Sequence, residues 1–375
     1  MSKWELYKLD ELFEESNQGV NTTTEKVKYS ENGTHPVIRA KNIYQYKIDY
    51  EDVVYINHDT FINLKDTVKP KEGDVLYTNI GSQFGNASSV TNINDFAIAW
   101  NVFRITPKKS ILDANYLVYL LNDPQTRNFI KNLNSSSTMP FVSGGVIRSL
   151  EFLIPSLPEQ KAIAGVLSSL DDKIDLLHSQ NKTLEAMAET LFRQWFIEEV
   201  EDDWGKGTLG DILDLKYGKG LTKALRTGEG YPVVGSSGIV DYHSEFLVQG
   251  PGIVIGRKGT LGKVIFLQQN FYPIDTTYYI KTKLDNSNLL FEYFLLRTLR
   301  FEEMNTDSAV PGLNRDLALS TELIIPPTKK IYDFNIYANN IIEKKNSNSH
   351  QIKILCETRN TLLPKLMSGE AIIEV

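Results

Sequence analysis

A chain of 375 residues is too long for one ordinary domain and suits two of common size. With 41% hydrophobic and 23% charged residues it has the balance of a globular protein, not of a disordered or fibrous one. The single cysteine, Cys356, excludes an internal disulfide; a polar start and no apolar run near ~20 residues give no secretory signal or membrane span, so a cytoplasmic location without a membrane partner is expected.

Taken in chain order, the first globular stretch (1–155) mixes short β-rich runs at 53–56 and 74–77 with Gly, Asn and Asp turns. Residues 115–121 follow an Asp/Asn-rich stretch that can cap a helix. Next comes a stretch (156–200) with apolar residues at 163, 167, 170, 174, 177, 184, 188, 191 and 195. Its alternating steps of four and three are the seam of a coiled coil, with Asn181 as its one polar member, a residue type that fixes register when buried.

The acidic run Glu198, Glu199, Glu201, Asp202, Asp203 closes that helix. The net charge of −7 argues against a nucleic-acid binder when summed, since phosphates need cations, but its distribution is uneven. Residues 206–263 carry Lys206, Lys216, Lys219, Lys223, Arg226, Arg257, Lys258 and Lys263 against five acids, so a local basic face is available. The second globular stretch (201–327) repeats the β-rich pattern at 252–255 and 263–267, with a helix expected at 289–300. Gly256-Arg-Lys-Gly259-Thr-Leu-Gly262 lies between two of these runs and is expected as a hairpin-like loop. The final stretch (328–375) is helical and keeps the seam at Phe334, Ala338, Ile341, Ile352, Leu355, Leu362 and Leu366. Lys345 and Asn348 fall on the seam in its middle, so looser pairing is expected there.

The two halves repeat one another. Trp4 to Leu9 is answered by Trp204 to Leu209, and His35-Pro36-Val37 by Tyr231-Pro232-Val233. Gly73 to Gly81 is answered by Gly252 to Gly259 with one residue gapped. At one constant offset Pro140 pairs with Pro311, Glu151 to Pro155 with Glu322 to Pro326, and Thr190-Leu191-Phe192 with Thr361-Leu362-Leu363. The implied fold class is α+β: two tandem-repeat domains, each a twisted, mostly antiparallel sheet plus helices, separated by two long antiparallel coiled-coil helices with pseudo-two-fold symmetry. About 40 residues at 1.5 Å rise make each helix a rod of roughly 60 Å, comparable to one or two turns of a DNA duplex.

No catalytic motif accompanies this plan. There is no Gly-x-x-x-x-Gly-Lys-Ser/Thr, no Gly-x-Gly-x-x-Gly between a strand and a helix, and no pairing of the five histidines at metal-ligand spacing. Pro326-Pro327 lacks the preceding Asp or Asn and following aromatic of an amino-methyltransferase loop.

Ile154-Pro-Ser-Leu-Pro-Glu-Gln160, leading into Leu170-Asp-Asp-Lys-Ile174, and Leu362-Leu-Pro-Lys-Leu-Met-Ser-Gly369 resemble the specificity (S) subunits of type I restriction-modification systems, the HsdS family. The resemblance covers almost the whole chain and implies two target recognition domains, each reading one half of a bipartite site in double-stranded DNA. It implies helices that set the gap and dock two modification (M) subunits, with restriction (R) subunits as further partners. Cofactors would then belong to the partners: S-adenosylmethionine to the modification subunit, ATP and Mg to the restriction subunit, none to this chain. The second helix departs from the first with Pro326-Pro-Thr-Lys-Lys330 in place of Leu-Pro-Glu-Gln, which puts equal docking of the two M subunits in question.

Base edges are read by Arg, Lys, Asn, Gln and Ser/Thr, and phosphates by cations and backbone amides. The candidate DNA-binding residues of the first half are Asn79, Ser82, Gln83 and Asn86, with Arg39 and Lys41 and further lysines at Lys26 and Lys28. Those of the second half are Arg257, Lys258 and Thr260, with Lys219, Lys223, Arg226, Ser236 and Ser237. Loops 137–143 and 308–315 are further candidates. A chain with its own methyltransferase or nuclease activity, and a coiled-coil scaffold that binds no DNA, are the alternative readings.

Overall fold

The computed structural model of the protein describes residues 4–24, 26–91, 95–133, 140–304 and 312–373. Of the expected loops, residues 137–139 and 308–311 lie outside these, as does Pro311 of the repeat. The chain divides into two compact units, Met1–Leu176 with Gln351–Val375, and Leu177–His350.

In the first unit, β-branched and aromatic residues alternate with polar ones and build a four-stranded antiparallel sheet. Its order is Phe13–Gln18, Phe103–Pro107, Val75–Tyr77, Ala87–Ser89. Period two sends Val75, Tyr77, Phe103 and Ile105 to one face, where they are buried with Tyr116, Leu117 and Leu120 of the helix Ala114–Asn122. That helix starts where the Asp113 carboxylate accepts from the Tyr116 amide at 3.0 Å. Leu76 points the other way and packs with Val37, Ile38, Ala97 and Ile98. These belong to a three-stranded sheet, Val54–Ile56, His35–Ile38, Ala97–Ile98, whose last pair is parallel. A ribbon of Glu5–Lys8 with Glu151–Ile154 leads into the first long helix.

Among the described residues, the second unit repeats the ribbon and both of these sheets, without the small hairpin Ile43–Tyr44 with Lys47–Ile48 of the first. Its four-stranded sheet runs Leu213–Tyr217, Thr277–Thr282, Gly252–Gly256, Val264–Leu267. Its three-stranded sheet runs Gly238–His243, Tyr231–Gly235, Tyr272–Pro273, again with one parallel pair. The ribbon is Gly205–Thr208 with Glu322–Ile325. The glycine-rich segment 257–263 does join two antiparallel strands as a hairpin connection. One detail of the repeat needs correcting. Tyr77 faces Phe103 as Ile255 faces Tyr278, so Gly252 corresponds to Asp74 and no residue is gapped before Gly81 and Gly259. Both of these glycines have positive φ, +99° and +79°, which side-chain-bearing residues adopt only under strain.

In both units a glycine closes the junction of the two sheets by main-chain contact alone. The Gly19 amide donates to the Val102 carbonyl at 3.0 Å and the Gly218 amide to the Thr277 carbonyl at 3.1 Å. A Cβ here would sit 2.3 Å from the Ala99 oxygen or 2.1 Å from the Ile274 oxygen, so neither position has room for a side chain.

The first long helix spans Leu157–Arg193 and ends in a π-helical turn, Gln194–Glu198; the second spans Thr328–Met367. Every expected seam position of the first is buried or half-buried. Pairing is antiparallel within each unit. In the first, Arg359 Nη1 donates to Asp171 Oδ1 at 2.5 Å; in the second, Lys345 Nζ donates to Glu185 Oε2 at 2.5 Å and Asn348 Nδ2 to Asn181 Oδ1 at 3.0 Å. At Lys345 and Asn348, where looser pairing is expected, polar seam residues meet polar partners: Asn348 is fully buried and its amide donates to Asn181, while its Oδ1 is enclosed without a hydrogen-bond partner. Among the described residues no helix is long and apolar enough to cross a membrane.

Glu185 gives the second unit a pH dependence. Burial disfavours its carboxylate, but hydrogen bonds from Lys345 and Arg297 outweigh that and hold the carboxyl below the ordinary glutamate range. A group depressed on folding stabilises fully above its unfolded pKa and loses that contribution as pH falls through the folded value. The unfolding free energy of the second unit should therefore decline below about pH 5 more steeply in the wild type than in Glu185→Gln. The difference should stay below about 1 kcal/mol, because solvent reaches a third of the side chain. Denaturant titrations at stepped pH measure it, and parallel slopes would exclude the effect.

Candidate nucleic-acid interface

In the first unit, chain segments from four strand ends meet where Phe13–Gln18 stops. The Gln18 and Asn79 amides bond to each other in both directions, at 2.9 and 3.0 Å, and Asn79 Nδ2 also donates to the Val142 carbonyl at 3.1 Å. Gln18 further donates to the Trp100 carbonyl. The Ala40 amide donates to Asn101 Oδ1 at 3.2 Å, which draws the turn carrying Arg39 and Lys41 to the same corner. The Gly81 amide donates to the Pro140 carbonyl at 3.0 Å, adding the segment that leads to Phe141.

Two of the expected base readers do not face outward. Asn79 is 0% exposed and Asn86 is buried, its amide donating to the Ile43 carbonyl at 2.9 Å and to Gln83 Oε1 at 3.1 Å. They brace the loop from inside, because an unbonded amide in a protein interior is costly and these are fully bonded. Gln83 is half-buried in the same network, whereas Ser82 is exposed at the loop tip. Lys41 pairs with Asp52, and this ammonium holds the Asp52 carboxyl below its usual range. Arg39 is half-buried, with its Nε enclosed and without a hydrogen-bond partner. Lys28 is exposed, as is Lys26, which holds positive φ in the turn before it.

The corresponding corner of the second unit has the same backbone and different side chains. Tyr217 stands where Gln18 stands, each beside the junction glycine. Arg257 stands where Asn79 stands: its carbonyl accepts from the Leu313 amide at 2.9 Å, as that of Asn79 accepts from Val142 at 3.1 Å. The Arg257 guanidinium lies 5.3 Å from the Tyr217 ring centre and 5.7 Å from that of Tyr278, and Nη2 donates to the Asp275 carbonyl at 3.0 Å. Burial pushes the Tyr278 hydroxyl up to about 12, so it stays protonated and donates to the Leu313 carbonyl at 3.1 Å.

Lys258 and Thr260 are exposed on the adjoining connection, with Ser236 Oγ 3.5 Å from where a Gly259 side chain would begin. Lys263 ties this connection to the Ser237 carbonyl at 2.6 Å. Arg257, Lys258, Thr260, Ser236 and Ser237 are thus brought together. Lys219 is exposed and follows the junction glycine directly, its amide bonded to the Pro273 carbonyl at 3.0 Å. Lys223 is exposed on the following loop, while Arg226 turns inward to the Leu221 carbonyl at 3.2 Å and to Asp241. Gln18, Trp100 and Tyr217 were not among the sequence candidates; the signal that could have found them is their place beside a strand-end glycine or turn. Among the described residues no group of three or more His, Cys, Asp or Glu is placed to hold a metal ion.

Each corner therefore presents cations, hydroxyls and an aromatic ring on a rigid strand-end frame, the mixture that contacts phosphates and base edges. A protein-family model described as the type I restriction modification DNA specificity domain matches residues 1–186 and 201–349, one match to each half. The specificity subunit of the type I restriction enzyme MjaIX from Methanocaldococcus jannaschii is 27% identical, over 99% of this chain and 94% of its own length. That of the Haemophilus influenzae enzyme HindI is 24% identical, over 86% of this chain and 95% of its own. In fold the chain is similar to the crystal structure of a type I restriction-modification S subunit from M. genitalium, with a TM-score of 0.66 and 19% identity over 98% of this chain and 96% of that one. With the domain matched twice across most of its length, the chain belongs to the family of type I restriction-modification specificity subunits.

Proposed function

We propose that each unit reads one half of a split duplex site through its strand-end corner, and that the paired helices fix the number of base pairs left unread. The observation that carries this reading is the repeated corner: one main-chain frame, closed by Gly19 and Gly218, bearing Gln18 and Asn79 in one unit and Tyr217 and Arg257 in the other. Equal frames with unequal side chains suit two different short sequences, since side chains and not the frame meet base edges. The helices would also dock two modification subunits, which bring S-adenosylmethionine and methylate adenine, and restriction subunits would add ATP- and Mg-dependent cleavage. The chain itself would be non-catalytic, and its partners would supply much of the grip on phosphates that a net charge of −7 withholds.

Inserting seven residues into each long helix, in register, should lengthen the unread gap and leave both half-sequences unchanged. Mapping methylated adenines in DNA exposed to the reconstituted complex measures this. A lengthened complex that keeps the original gap would remove the spacer role. The lone chain should not bind S-adenosylmethionine in calorimetry; binding would favour an activity of its own.

A further inference from the structure

We infer that each unit offers one aromatic ring to the base stack, Trp100 in the first and Tyr217 in the second, and that these rings set how well each half-site is held. The inference rests on the DNA-reading function proposed above and specifies which groups perform it.

Single exposed apolar residues are ordinary, so exposure alone carries nothing. Trp100, a residue 49% exposed, sits on a backbone that cannot move freely. Its carbonyl accepts from Gln18, whose amide is itself locked to Asn79. The residue before it bonds its amide to the Ile38 carbonyl at 2.9 Å, and the residue after it accepts from the Ala40 amide. Among the described residues no hydrogen bond or ring contact engages the indole itself. A large flat apolar group with an unused N–H donor is thus carried on a fixed stretch of backbone and left open to a ligand.

Tyr217 occupies the matching corner with 57% exposure. One edge rests against Tyr278, with ring centres 5.0 Å apart, and the Arg257 guanidinium covers part of a face. The correspondence is by place and not by position in the repeat. Trp100 is the counterpart of Asp275, and Tyr217 the counterpart of Gln18, yet the carbonyls of Trp100 and Asp275 are both bonded by the neighbouring polar side chain, Gln18 or Arg257. Each unit therefore places an aromatic on one side of the same joint and a hydrogen-bonding clamp on the other.

Every base has a π-face and thymine a methyl group, so an exposed ring beside cations fits a base step in which it stacks or wedges. The turn carrying Arg39 and Lys41 is tied to Asn101, next to Trp100; Lys219 follows the junction glycine beside Tyr217, and Lys258 follows Arg257.

The test uses the full chain assembled with its modification subunits, and duplexes carrying the methylated site or a scrambled sequence. Trp100→Ala and Tyr217→Ala should each weaken binding to the site by roughly tenfold to a hundredfold. Trp100→Phe and Tyr217→Phe should lose much less, because they keep a stacking face and control for folding. The tryptophan emission lost between wild type and Trp100→Phe should be quenched by the site-bearing duplex. Alanine variants that bind the site as tightly as wild type overturn the inference while the DNA-reading function stands. If alanine at these positions instead prevents assembly with the modification subunits, the rings face protein and the inference is likewise overturned. A wild-type complex that binds no duplex selectively would remove the DNA-reading function itself, an outcome distinguishable from both.

Discussion

Arg104→Ala should destabilise the first unit by about 3–5 kcal/mol and leave the second unit's unfolding transition in place. Arg104 is 4% exposed on the central strand Phe103–Pro107, and its Nε lies 2.9 Å from a carboxylate oxygen of Asp74, itself 2% exposed. Its remaining donors serve the carbonyls of Asp66 and Thr67, at 2.9 and 3.1 Å, and Glu15 Oε2 at 3.0 Å. Asp74 in turn accepts from Thr106 Oγ1 at 2.6 Å and the Lys71 amide at 2.7 Å. Removing the guanidinium leaves a buried carboxylate without its counter-charge and takes donors from the carbonyls of Asp66 and Thr67, and the desolvation penalty of the uncompensated charge dominates the loss. The melting temperature of the first unit should drop by roughly 10 °C. The counterparts in the second unit are Tyr279 and Gly252, so no equivalent ion pair exists there to be broken. The double variant Arg104→Met, Asp74→Leu should recover much of the stability, since replacing both partners of a buried pair by apolar groups is often close to neutral. Denaturant unfolding followed by hydrogen exchange separates the two units. A single variant that loses less than about 1 kcal/mol would show the pair to be unimportant.

A larger effect is expected from deleting residues 351–375. This segment lies at the far end of the chain from Trp4, yet Leu363, Leu366 and Met367 are part of the same buried cluster as Leu9, Leu12 and Tyr116. Trp4 itself packs against Gly369, and Arg359 supplies the partner of Asp171. Removing three buried apolar side chains forfeits on the order of 5–8 kcal/mol at about 1.5–3 kcal/mol each. That approaches the whole stability of a typical domain, about 5–15 kcal/mol. The first unit should therefore unfold, although residues 4–176 are all still present. The buried clusters of the second unit draw on none of residues 351–375, so amides within 177–350 should stay protected from exchange. If the deletion instead exposes 205–325 and spares 5–154, the division of the core is wrong.

Much of this fold was legible because two kinds of signal are periodic. The four-three spacing from Ile163 to Trp195 needs no partner to be recognised, and every one of its positions is at least half-buried. The repeat worked for a related reason: ribbon and sheet registers are set by hydrophobic alternation, which survives changes of residue identity. What stayed hidden depends on residues far apart in sequence. His35 and His58 bond at 3.0 Å between ring nitrogens because a strand and the start of a short helix bring them together, although their spacing suggests no pairing. Asn79 and Asn86 have the chemistry of base readers, and only the positions of Gln18, Val142 and Ile43 turn them inward. Lys345 and Asn348 look out of place on one helix, and their donors find acceptors only because Glu185 and Asn181 stand opposite. The corner was therefore readable as a set of loops, and not residue by residue.

The glycine joints have a wider consequence. Because Gly19 and Gly218 fasten their sheets through peptide groups, exchanging the neighbouring side chains leaves the fastening intact. A lineage can then retune what a corner accepts by a handful of substitutions without re-solving the folding problem. Changes in what the surface presents and changes in stability then fall on separate atoms.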